Sequence, residues 1–172
     1  MKENELPVCT VGYLVRGQGE NLEVFLGTKA ATPKAIKRKI AGKLIGFGGD
    51  FEPEKDRSIK ESFARELKEE KGYDVKPHDM TIVARVLIVD EGGPRLILYY
   101  LLVWEWEGVP VDNGEIIGGD WYGINPLPEN ILEADKLILP RVLRGTNLQG
   151  FVEYDADMKV VRHELTPVGS IE

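Results

Sequence analysis

Ser58-Ile59-Lys60-Glu61-Ser62-Phe63-Ala64-Arg65-Glu66-Leu67-Lys68-Glu69-Glu70-Lys71-Gly72 is the stretch around which the rest of this chain is organised. At 100° per residue Ile59, Phe63 and Leu67 fall within about 80° of one another, a single apolar stripe. Gly72 supplies the stop, with Pro77 beyond it, so the spacing predicts a helix over 58–71. Glu66 and Glu70 fall at about −20° and +20° from Ile59, on the rim of the apolar stripe, while Arg57, Glu61, Ala64 and Lys68 lie on the far side. Two carboxylates thus head inward together. Spaced i, i+4, roughly 6 Å apart, they repel each other by about 2–3 kcal/mol at an effective dielectric of ~20. A hard divalent cation that prefers oxygen ligands, Mg²⁺ or else Mn²⁺, removes that repulsion. Glu69, at about −80°, either joins the same site or pairs with Arg65 one turn earlier. A solvated Lys/Glu helix is the other reading of Glu66 to Lys71; the position on the wheel favours the cation.

Outward from the helix, Gly46-Phe47-Gly48-Gly49 offers backbone that can approach a ligand closely, or else a tight strand end. Val8 to Arg16 and Leu22 to Thr28 read as a hairpin around Gly17-Gln18-Gly19-Glu20. Thr81 to Val89 and Leu96 to Trp106 read as long strands joined through Asp90-Glu91-Gly92-Gly93-Pro94. Gly119 to Ile124 is a further strand and Glu129 to Arg144 a helix disturbed by Pro140. Gly150 to Leu165 is a last hairpin around Asp155-Ala156-Asp157, and Ala30 to Gly42, with Pro33 and no apolar period, reads as a long loop. Mixed strands with two helices predict one α/β (α+β) domain over residues 1–172, its helices covering a mixed sheet.

The chain has 172 residues, 42% hydrophobic and 30% charged, which excludes a disordered or fibrous class. Its longest apolar run, Leu96 to Trp104, falls well short of the roughly 20 residues of a membrane helix. The opening residues lack a secretory stretch and Cys9 has no partner for an internal disulfide, so a cytoplasmic location is the expectation. A net charge of −7 argues against a surface that coats nucleic acid. The charge is nevertheless uneven: Thr28 to Lys43 carries six cations (Lys29, Lys34, Lys37, Arg38, Lys39, Lys43) and no acid. Nucleic acid is thus a partner only through the basic loop 28–43. Trp104, Trp106 and Trp121 read as core or strand residues, Cys9 as an inert strand thiol, and His78 and His163 as isolated.

Gly48-Gly49, followed by Arg65-Glu66-Leu67-Lys68-Glu69-Glu70-Lys71-Gly72-Tyr73, resembles the Nudix box, GX5EX7REUXEEXGU, where U is apolar. The interval from Gly49 to Arg65 is two residues longer than in that pattern, and Arg57 stands at the place of its first glutamate, with Asp56 or Glu54 as substitutes. Thr10, Lys29, Gly46-Phe47-Gly48-Gly49, Trp121-Tyr122, Pro140 and Gly150-Phe151 extend the likeness, in order, to the MutT-homologue branch, the oxidised purine nucleoside triphosphate diphosphatases. The resemblance implies a Nudix-type αβα sandwich with a mixed central sheet. It implies a Mg²⁺-dependent hydrolase of a small-molecule nucleotide, releasing monophosphate and pyrophosphate from a triphosphate.

Carried over by position, the resemblance makes the Gly48 carbonyl, Glu66 and Glu70 metal ligands, Glu69 a further ligand or water contact, and Glu115 an extra loop ligand or base. Glu69, Glu70 or Glu115 accepts the proton of water, and Arg65 pairs with the box carboxylate. Lys29 contacts phosphate, and Thr10, Phe47 and Asp135 stand on the substrate side. Ile45 occupies the place of the purine-reading asparagine, and Leu132-Glu133-Ala134-Asp135 that of Trp-Pro-Asp-Asp. The rival substrates are a nucleotide sugar, a dinucleoside polyphosphate or an RNA 5′ end; a non-catalytic nucleotide-binding module is the more distant rival.

Overall fold

The computed structural model describes residues 2–108, 111–112 and 114–171. In chain order it forms β1 (Val8–Arg16), β2 (Glu23–Lys29), α1 (Pro33–Lys37), β3 (Leu44–Ile45), β4 (Phe47–Asp50) and α2 (Ile59–Lys71). β5 (Met80–Asp90), β6 (Gly93–Val103), β7 (Ile116–Gly123), α3 (Glu133–Val142), β8 (Asn147–Tyr154) and β9 (Val160–Val168) follow. One sheet runs β3-β2-β1-β6-β5-β8-β9, with β4 paired to β1 and β7 to β2. β1/β6 and β5/β8 are parallel and the other pairs antiparallel, which makes the sheet mixed.

Alternation along the central strands sorts their side chains into two cores. Tyr13 and Val15 of β1 and Tyr100 and Leu102 of β6 join Ala134, Ile138, Leu139 and Val142 of α3 on one face. Leu14, Leu101 and Val103 join Phe63 and Leu67 of α2 on the other. Burial of Phe63 and Leu67 contributes about 2 kcal/mol apiece. Gly12 makes the seat for Phe63, since a Cβ there would run into its ring. Helices on opposite faces of a mixed sheet give the expected αβα sandwich.

The differences from expectation are local. The 30–42 segment contains α1, whose N–H of Ala35 donates to the Thr32 hydroxyl at 3.2 Å and which opens on Pro33. Five residues are too few to display a helical period. β1 and β2 pair only at Val15↔Val24 and Arg16↔Glu23; Cys9 to Gly12 of β1 take β4 instead. The strand expected to end at Trp106 ends at Val103, and α3 begins at Glu133 rather than at residue 129. Pro140 lies within α3, close enough to its end to be accommodated. No helix among the described residues is long and apolar enough to cross a membrane.

Candidate active site

α2 starts where the Ser58 hydroxyl accepts the N–H of Glu61 at 3.2 Å and stops at Gly72, whose φ of 74° only a residue without Cβ adopts freely. Between those ends the packing of Phe63 and Leu67 turns Glu66 and Glu70 toward β4. Glu70 is only 5% exposed, and its carboxylate accepts the Gly48 N–H at 3.3 Å. A Cβ on Gly49 would run into the carboxyl group of Glu66, and one on Gly48 into the Thr10 carbonyl. The glycines are thus what allows a carboxylate pair to stand against a strand. Thr10 is buried beside them and donates its hydroxyl to the Gly49 carbonyl at 3.5 Å.

Burial raises the Glu70 carboxyl to about 8; Glu66 and Glu115 push the same way, while the Gly48 N–H and Lys29 oppose. Burial also raises Glu66, helped by Glu69 and Asp50 and opposed by Arg65. Negative charge in this corner is therefore under-compensated. Among the described residues no three His, Cys, Asp or Glu side chains already converge on one ion position. The donors present, the Glu66 and Glu70 carboxylates and β4 backbone, are hard oxygens of the kind Mg²⁺ or Mn²⁺ takes, and the residual charge suits a cation. The donor set fits such an ion.

Arg65 organises the approach. Its guanidinium donates to both Asp56 oxygens at 2.8 and 2.9 Å, to Glu66 at 2.9 Å, to the Asp50 carbonyl at 3.2 Å and to Glu69 at 3.4 Å. The hydrogen bonds from Arg65 hold the Asp56 carboxyl down at about 2 against the effect of burial. Asp56 also accepts the Glu52 N–H at 2.8 Å, which pins the lengthened loop. Of the two proposed substitutes for the box glutamate, Asp56 meets the arginine; Glu54 and Arg57 are exposed. Glu69, 60% exposed, takes the Arg65 pairing rather than a place beside Glu70.

Glu115 stands on an exposed turn, its carbonyl accepting the Ala30 N–H at 2.8 Å, and its charge acts on Glu70. Lys29, half-buried, acts on Glu70 with the opposite sign. Lys34 and Arg38 act on the Cys9 thiol, which burial and its bond to Asp50 push up to about 12, as an inert thiol requires. Lys39 is held by Asp157 at 2.6 Å.

Two expected substrate contacts lie inside the cores. Phe47 is wholly buried in the α2-side core against Phe25, because its strand position points it under the helix. Asp135 lies in the α3-side core, 2% exposed, its two oxygens accepting the hydroxyls of Tyr13 at 2.8 Å and Tyr100 at 2.9 Å. A carboxylate whose oxygens are both engaged inside a core offers a substrate little. Lys71, unmarked by the sequence, is buried beside Glu70; its wheel position, between the apolar stripe and the solvent face, gives no sign of this.

Neither a family sequence model nor a curated protein sequence matches the chain. Solved structures do. A MutT protein from Bacillus halodurans is 24% identical, covers 93% of this chain and 97% of its own, and superposes with a TM-score of 0.69. A MutT Nudix hydrolase from Burkholderia pseudomallei is 20% identical over 80% of this chain and 98% of its own, with a TM-score of 0.62. The Nudix domain of Shewanella oneidensis NrtR, solved with ADP ribose, is 16% identical over 81% of this chain and 86% of its own, with a TM-score of 0.58. The sandwich, its mixed sheet and the helix that carries Glu66 and Glu70 are those of the Nudix fold.

Proposed function

We propose that this chain is a divalent-metal-dependent Nudix hydrolase that splits a nucleoside triphosphate into monophosphate and pyrophosphate. The observation that carries this reading is Glu70, a nearly buried carboxylate bonded to the Gly48 N–H, one turn from Glu66 and beside a strand of glycines. Such an arrangement is costly for a fold unless a cation answers it. Glu66, Glu70 and the Gly48 carbonyl would hold the ion, Mg²⁺ or Mn²⁺, with Glu115 at its rim. When bound, the ion neutralises phosphate charge and polarises the phosphoryl oxygens.

The chain's own groups do the rest. Asp56 fixes Arg65, which steadies Glu66. A carboxylate, Glu69, Glu70 or Glu115, accepts the proton of a water whose oxygen bonds to phosphorus; the phosphorus–bridging oxygen bond breaks and the leaving group, pyrophosphate or monophosphate according to which phosphorus is attacked, departs with that electron pair. Lys29 contacts phosphate, and the cations of 29–43 draw a polyanion into an otherwise acidic mouth.

A second reading keeps the hydrolysis and changes the substrate to another nucleoside diphosphate derivative. Apolar Ile45, and Asp135 with both oxygens engaged by tyrosines, favour a site that reads phosphates over one that reads a purine edge. The NrtR domain solved with ADP ribose carries the same fold. A panel of ATP, GTP, an oxidised purine triphosphate, ADP-ribose, a dinucleoside tetraphosphate and 5′-triphosphate RNA, with Mg²⁺, separates these readings. Pyrophosphate release from several triphosphates is expected. Turnover confined to ADP-ribose or the dinucleotide selects the second reading, salt-sensitive RNA turnover makes the basic segment a nucleic-acid clamp, and binding without product leaves a non-catalytic module.

A further inference from the structure

Lys71 is 1% exposed, yet its ammonium has three N–H donors and three oxygens meet them: Asp112 at 2.6 Å, the Ile116 carbonyl at 2.9 Å and the Gly118 carbonyl at 3.2 Å. Its own carbonyl accepts the Val111 N–H at 2.9 Å. One residue at the end of α2 thus makes four bonds, to Val111, Asp112, Ile116 and Gly118, and Glu115 lies between the points of attachment. On the other side, the Glu115 carbonyl is tied to Ala30, next to Lys29. Consecutive residues of the helix therefore divide two tasks. Glu70 faces Gly48, and Lys71 faces the turn that presents Glu115.

We propose that Lys71 is a positioning residue: it fixes the Glu115 turn against the Glu66–Glu70 cluster before any cation arrives. A buried ammonium is tolerated only with its charge and donors answered, so the bonds that solvate Lys71 also restrain the turn. Strand β7 holds the far side of the turn, with Ile116 and Ile117 paired to Lys29 and Thr28 of β2, so Lys71 restrains it from the α2 side. Ile116 is buried in the α2-side core, but residues 114, 115, 117 and 118 are exposed, and Asp112 is 60% exposed. The inference rests on the reading of that cluster as a metal site, and its test separates the two.

Hydrogen exchange of the 114–118 amides in the metal-free protein, compared between wild type and variant, reads the tether without the ion. K71M is expected to speed exchange there by about tenfold while the α2 amides keep their protection. D112N, a milder surface change for use if K71M does not fold, should speed it by about threefold. Unchanged exchange in the folded variants overturns the proposal. Mn²⁺ titration of wild type, K71M, E115Q and the double variant then reads the coupling. K71M should weaken Mn²⁺ binding in the wild-type background and have no further effect once E115Q is present; D112N replaces it in the same cycle if needed. Equal losses in both backgrounds would show that Lys71 does not act through Glu115 and overturn the proposal. If E115Q alone leaves Mn²⁺ affinity unchanged, the assignment of Glu115 to the metal fails, and with it the purpose given to the tether, even where exchange shows the tether itself.

Discussion

Glu70 illustrates how a function-bearing residue opposes the stability of its own fold. Its carboxyl is raised to about 8 from an ordinary value near 4.5, so the folded chain retains a proton that the unfolded chain gives up. The contribution of this group is complete below pH ~4.5 and is lost as pH rises through about 8. Glu70→Gln cannot ionise, so in metal-free protein it should be more stable than wild type by a few kcal/mol at pH 8–9 and nearly equal to it at pH 4. Mg²⁺ should narrow the gap by stabilising wild type alone, and turnover should fall by about 10²-fold or more. Urea titrations across pH, with and without Mg²⁺, check the first expectation; stability curves that run parallel would refute it. Asp56 shows the reverse sign. Held down at about 2 by Arg65, it stabilises the fold above pH ~4 and ceases to do so as pH falls toward 2. Asp56→Ala leaves Arg65 without its bidentate partner and should cost about 2–4 kcal/mol at pH 7 in denaturant titration. At this scale the helix wheel made Glu66 and Glu70 legible, because their inward aim depends only on helical phase. The choice of Asp56 over Glu54 was not legible, because it depends on the shape of the lengthened loop. Lys71 was hidden for the same reason, since its partners come from forty residues away.

Among the elements, long ones were readable and short ones were not. α2 and the strands of β5 and β6 carry enough turns or alternations to declare their period. α1, β3 and β4, with five, two and four residues, do not. β4 is a strand because β1 supplies its ladder, and its sequence, Phe47-Gly48-Gly49-Asp50, is poor in residues that favour one. The basic segment nevertheless yields a prediction from its charge. Lys34 and Arg38 are exposed, their side chains make no hydrogen bond or ion pair among the described residues, and they lie close enough to Cys9 to influence its thiol. The double change Lys34→Ala, Arg38→Ala should shift stability by no more than about 0.5 kcal/mol. It should raise KM for a triphosphate several-fold, raise it less for ADP-ribose, and flatten the dependence of kcat/KM on salt. Steady-state kinetics at low and high salt provide the measurement; an unchanged salt dependence would remove these cations from the substrate's path.

For the whole molecule, the α/β class with helices on a mixed sheet followed from element types, whereas the order of strands did not. The parallel pairings of β1 with β6 and of β5 with β8 join segments far apart in the chain, and nothing local records them. What that order creates is two separate cores, each holding one awkward carboxylate: Glu70 on the α2 side and Asp135 on the α3 side. Burial raises Asp135 to about 6, even though Tyr13 and Tyr100 both donate to it and oppose the rise. Its contribution to stability is therefore whole below pH ~4 and declines through about 6 as the ionised form takes over, a loss on the order of 3 kcal/mol. Asp135→Asn should remove this decline between pH 4 and 7 and leave Mg²⁺ affinity alone, since its partners are tyrosines of the opposite core. Because Asp135 and Glu70 share no partner, their effects should add within about 0.5 kcal/mol in the double variant. Two overlapping declines of stability are expected in wild type, the first running from pH ~4 to about 6 and the second from pH ~4.5 to about 8. Mg²⁺ should abolish the second only. A double variant whose stability departs from the sum of the two single changes would mean that the sheet transmits charge between its faces, and the two cores would then no longer count as independent.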